Sequence, residues 1–105
     1  MVVMVYITAG DVEEAKKIAR VVIRKRLAAC ANIIGGITSI YRWKGRVEEE
    51  SEAILLLKTS KARVNALIDE VKELHSYEVP DITVIPVKGG LEEYLMWIKE
   101  ETRSL

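Results

Sequence analysis

Apolar residues fill Val2–Thr8 almost without a break, which reads as a strand buried on both faces. From Asp11 the period changes. Ala15, Ile18, Ala19, Val22 and Arg26/Leu27 follow at helical spacing. Asp11 followed by Glu14 has capping-box spacing, so a first helix is predicted over about residues 12–27. Ala31–Trp43 and Val47–Lys58 are extended runs joined at Lys44-Gly45, the signal of a long hairpin. Gly35-Gly36 marks a bulge or bend in its first arm. Ser60 stands where it can cap a second helix, whose apolar stripe is Val64, Leu67, Ile68, Val71 and Leu74. Pro80 bars further helix and favours extended backbone at Val79. Ile82–Val87 is then a strand, and Pro86, which lacks a donor, puts its end at a sheet edge or irregularity. After the Gly89-Gly90 break, Leu91, Tyr94, Leu95 and Ile98 define a last helix.

The predicted order is β-α-β-β-α-β with an added C-terminal helix, an α+β, ferredoxin-like two-layer sandwich in a single domain spanning 1–105. Right-handed crossovers place the first two helices on one sheet face. The strands are nonetheless apolar on both faces, as in Val2–Ile7, Ala53–Leu57 and Ile82–Ile85. The short last helix covers only part of the second face, so another subunit is expected to cover the rest. The hairpin points the same way. Twelve extended residues reach roughly 40 Å, against a radius of gyration near ~13 Å for a domain of this size. A ribbon that overhangs its own body presents edges to another chain.

Sixteen basic and sixteen acidic residues cancel, which argues against a general nucleic-acid or membrane-surface binder. The single Cys30 cannot form an internal disulfide, in keeping with a reducing, cytoplasmic setting. Glutamine is absent, asparagine occurs twice, and charge rests mainly on Lys, Arg and Glu, a balance that resembles proteins of thermophiles.

Candidate chemistry centres on Leu74–Pro80, which holds the only histidine. His75 could ligate copper or zinc, with Glu78 adding an oxygen, or it could be a helix-terminal histidine facing the last carbonyls. Cys30 could ligate Cu(I) as thiolate or pack as a small hydrophobe. Glu48, Glu50 and Glu52 share one strand face and could attract divalent cations or pair with Arg42, Lys44 and Arg46. Tyr41 and Trp43 alternate to one face near the turn. Cys30, Arg42, Trp43, Lys58, Tyr77 and Glu78 are candidates to line a cleft between subunits. An acylphosphatase-type hydrolase on this topology needs a phosphate-binding loop, which Gly10-Asp11 after the first strand does not make.

Several blocks in one order resemble the CutA family of divalent-cation tolerance proteins: Thr8–Asp11, Arg26–Ile33, Thr38–Gly45, Leu57–Thr59, Leu74–Pro80 and Tyr94–Trp97. The resemblance implies a ferredoxin-like homotrimer, non-enzymatic and cytoplasmic, that responds to metal ions, with copper or another divalent cation as its ligand. It also suggests by analogy a PII-like trimeric module that binds a metabolite or anion in intersubunit clefts. The chain departs from the family pattern at Ile7 and Leu74, where some bacterial members carry a cysteine and a first histidine proposed as copper ligands. His75 alone matches that set. Gly10 and Ser76 stand where prolines are frequent.

Overall fold

A computed structural model describes residues 1–104. Its elements are β1 (Val2–Ala9), α1 (Val12–Arg24), β2 (Cys30–Trp43), β3 (Arg46–Ser60), α2 (Val64–Leu74), β4 (Ile82–Pro86) and α3 (Glu92–Glu101). A 3-10 turn at Lys61–Arg63 precedes α2. The four strands form one antiparallel sheet in the order β2-β3-β1-β4, the expected ferredoxin-like arrangement.

Strand register explains the core. Val5 pairs with Leu57, Ile7 with Leu55 and Ala9 with Ala53, so all six side chains emerge on one sheet face. There they meet Ala15, Ile18, Ala19 and Val22 of α1 and Leu67 and Val71 of α2. The intervening residues, Met4, Tyr6, Ile54 and Leu56 among them, face the other way and stay partly exposed. Helix α3 covers one end of that second face. Tyr94 contacts Lys58, and the Thr102 hydroxyl bonds that of Ser60. On the β4 edge, Val84 and Ile85 remain open.

The hairpin arms run for 14 and 15 residues and stretch the molecule to 44 Å, against 25 and 22 Å in the other directions. Lys44 and Gly45 both take positive φ, the geometry of a two-residue turn whose twist matches the strands. The bulge falls between Ile34 and Ile37, with Gly36 at φ 67°. Gly35 is required for a different reason: a Cβ there would lie 2.6 Å from Val12 Cγ2 of α1.

Two predicted boundaries differ. Helix α1 ends at Arg24 rather than Leu27, because Arg26 turns to φ 60°. The Arg26 amide donates to Ile23 and the Leu27 amide to Val22, which closes the helix with a Schellman-type motif. The Arg26 guanidinium in turn donates to the Glu100 carbonyl at the end of α3, 3.0 Å away. Ser60 makes no side-chain cap to α2; its hydroxyl is committed to Thr102. Pro86 does end an edge strand, as its missing donor requires.

Candidate functional site

The end of α2, the start of α1 and the end of β1 meet at His75. Its Nε2 lies 2.8 Å from the Thr8 carbonyl, and its Nδ1 lies 3.1 Å from the Tyr77 amide nitrogen. A carbonyl only accepts and an amide only donates, so these partners select the neutral Nε2–H tautomer. The imidazole is wholly inaccessible to solvent. Glu14 closes the knot from α1. Its Oε1 accepts from the Gly10 amide at 2.9 Å and its Oε2 from the Ser76 amide at 2.8 Å, with His75 Nδ1 3.7 Å away. Burial opposes the Glu14 charge, but the bonds from Ser76 and Gly10 outweigh it and hold the carboxyl below its ordinary range. The predicted cap also forms, with the Glu14 amide donating to Asp11 Oδ1 at 2.8 Å.

Tyr77 carries this knot to the hairpin. Its ring lies 4.6 Å from His75, and its hydroxyl donates to Glu52 Oε2 at 2.7 Å. Burial, reinforced by the Glu52 bond and charge, pushes the phenol above its usual range, so Tyr77 stays a donor. Glu52 is itself only 7% exposed.

Beyond this bond opens a cleft of about 600 Å³ between the hairpin and the Tyr77–Asp81 segment. Glu48, Glu50 and Glu52 line it along β3, and Glu78 and Asp81 line it from the facing segment. Tyr6, Tyr41, Trp43 and Tyr77 supply aromatic surface.

The description "CutA1 divalent ion tolerance protein" matches residues 3–101, which contain every motif block noted in the sequence. The chain belongs to the CutA1 family. Human Protein CutA is 46% identical over 100 residues, covering 95% of this chain and 56% of that protein. The chain therefore spans little more than half of that relative's length. The divalent-cation tolerance protein CutA of Thermus thermophilus is 46% identical over 99 residues, covering 94% of this chain and 96% of its own. Its solved structure superposes with a TM-score of 0.95, covering 98% of this chain and 100% of that one. The CutA structure from Archaeoglobus fulgidus, whose name calls it periplasmic, matches at 42% identity and a TM-score of 0.95, over 98% of this chain and 100% of its own.

Within this CutA1 chain the candidate residues fall into separate places. Trp43, Tyr77 and Glu78 line the cleft. Lys58 lies on the α3 side, its ammonium 5.4 Å from the Tyr94 ring. Cys30 sits opposite Lys58 on the outer strand, its Sγ 3.7 Å from Asn32 Oδ1. Arg42 turns to the hairpin tip and contacts the Gly45 carbonyl at 3.4 Å. Both His75 ring nitrogens are engaged within the chain, neither by a terminal α2 carbonyl. Among the described residues no three His, Cys, Asp or Glu side chains converge to hold a metal ion. The described residues of this chain thus do not fit a chelated copper or zinc, which needs three or four converging ligands. No helix among the described residues is long and apolar enough to cross a membrane.

Sequence reasoning missed that Glu14 clamps the Leu74–Pro80 segment and that Tyr77 holds Glu52. The capping spacing identified Glu14 as a helix-start residue. Nothing local signals its bond to Ser76, 62 positions away.

Proposed function

We infer that the protein is a non-enzymatic homotrimer of the divalent-cation tolerance type, and that it meets cations through the carboxylates of its cleft rather than through His75. The arrangement of five carboxylates around one concave surface carries this reading. Oxygen-rich, loosely spaced carboxylates give weak and reversible contact with divalent ions, which suits a response to metal rather than its storage. Glu78 and Asp81 are both exposed on the Tyr77–Asp81 side. Copper binding by His75 would require the imidazole to release the Tyr77 amide.

Assembly is supported by the half-covered second sheet face and by the 44 Å reach of the hairpin. Trimeric order follows the family resemblance. The non-enzymatic reading is supported by the engagement of His75 and the distance in the fold between Cys30 and the cleft-lining segments. The lone Cys30 supports a cytoplasmic setting. The PII-like alternative, an anion or metabolite sensor, is less well supported, because the cleft lining is acidic and Lys58 and Arg42 lie outside it. Native mass measurement with and without Cu(II) tests the reading. Trimers that take up copper reversibly support it; monomers, or copper that remains bound through exchange, count against it.

A further inference from the structure

A net charge of zero conceals a segregation of charge on the helical layer, the side of the sheet away from its half-covered face. Helix α1 carries Lys17, Arg20 and Arg24, all exposed, at spacings of three and four that set them on one outward stripe. Helix α2 carries Asp69 and Glu73, also exposed and four apart. Where the two helices approach, opposite charges already meet, with Lys25 Nζ 2.9 Å from Glu70 Oε1. Lys72, the only cation of α2, lies on the flank opposite Glu70 and so away from α1. Lys16 of α1 is paired with Glu13. Among the described residues, Lys17, Arg20, Arg24, Asp69 and Glu73 enter no ion pair.

The two stripes are complementary in sign and in pitch. Four residues of helix rise about 6 Å, so Arg20 and Arg24 are spaced like Asp69 and Glu73. They do not meet within one chain, because both stripes point outward from the same layer. β1 and β3 are antiparallel neighbours and each leads into its own helix, so α1 and α2 run in opposite directions. A second copy turned over about an axis parallel to the helices lays its α2 on this α1 and its α1 on this α2. Each facing pair is then antiparallel, and every cation–anion pair occurs twice. A two-fold axis across the helices instead sets α1 on α1, like charge on like charge. We propose that the basic stripe of α1 docks on the acidic stripe of α2 of a second copy, in a two-fold contact between helical layers. Exposed ion pairs are individually weak and screened by salt, so the contact is reversible and salt-sensitive. It is separate from the sheet-face assembly and from the cleft, and it holds whether or not metals bind.

Sedimentation velocity of the full chain over a concentration series, at about 0.02 M and about 0.5 M NaCl, tests it. The species that persists at high salt is the sheet-face assembly. Low salt is expected to add a concentration-dependent doubling of its mass, which high salt removes. Arg20→Glu/Arg24→Glu should weaken that step about tenfold or more, and Asp69→Lys/Glu73→Lys likewise. An equimolar mixture of the two variants, and a chain carrying all four changes, should both recover it. Lys61→Glu/Lys88→Glu makes the same change in net charge as the α1 variant but outside both stripes, and should leave the step in place. Should a reversal fail to fold by circular dichroism, Arg20→Gln/Arg24→Gln replaces it and is expected to weaken the step in the same direction. The proposal is overturned if wild type shows no salt-sensitive step, if Lys61→Glu/Lys88→Glu weakens it as much as the α1 variant, or if the folded four-change chain fails to recover it. Vesicles of phosphatidylserine and phosphatidylcholine are run in parallel. Capture by them without self-association gives the α1 stripe to an anionic surface and likewise overturns the proposal.

Discussion

The Tyr77 hydroxyl donates to Glu52 Oε2 at 2.7 Å, and this bond ties the segment after α2 to the base of the hairpin. It shapes the cleft, because Tyr77 and Glu52 both line it. Tyr77→Phe keeps the ring and removes the donor, leaving a buried carboxylate without its partner. A loss of about 1–3 kcal/mol in urea unfolding is expected. A change below about 0.5 kcal/mol, the range of ordinary surface substitutions, would show the bond to be incidental.

Acid should weaken the knot through Glu14. Its carboxyl is depressed in the folded state, so its contribution is complete above the ordinary value of 4.5 and is lost as pH falls through the folded value. Stability measured from pH 6 downward should therefore decline less steeply in Glu14→Gln than in wild type. Parallel curves would assign the acid loss to other groups.

Alkali should act through Tyr77, with the opposite sign. Its phenol is raised above the ordinary value of 10.0, so its contribution is full below that pH and is lost as pH climbs from the unfolded toward the folded value. Phenolate absorbance at 295 nm should show one tyrosine resisting ionisation until unfolding, and Tyr77→Phe should abolish that late component.

Gly35 faces Val12 too closely for any side chain, since a Cβ would stand 2.6 Å from Val12 Cγ2. Gly35→Ala should cost about 1–3 kcal/mol by overpacking. Adding Val12→Ala should recover part of that loss, and a double-mutant cycle by thermal melting measures the coupling. Additive losses would place the strain elsewhere.

The hydrophobic periods and turn residues were enough to read the strand and helix order and the hairpin, because those features are set by neighbours in sequence, and Pro86 narrowed the end of β4 to a sheet edge or an irregularity. The end of α1 was not legible, since Arg26 takes a left-handed turn where glycine is the usual signal. Ser60 looked like a cap because a hydroxyl before a helix often is one. Its actual partner, Thr102, lies 42 residues on. Trp43, Tyr77 and Glu78, expected at a cleft between subunits, line a cleft within the chain itself, and the alternation of Glu48, Glu50 and Glu52 was visible as a strand face. What could not be read was the use of His75. Whether an imidazole is free or committed depends here on the Thr8 carbonyl, which only the folded chain brings to it.

The direct test of cation contact at the cleft is a Cu(II) and Zn(II) titration of three proteins: wild type, folded His75→Gln, and a Glu48→Gln/Glu50→Gln double variant. The account predicts that His75→Gln retains wild-type metal affinity while the double variant loses most of it. Loss of binding in His75→Gln with full retention in the double variant would contradict it.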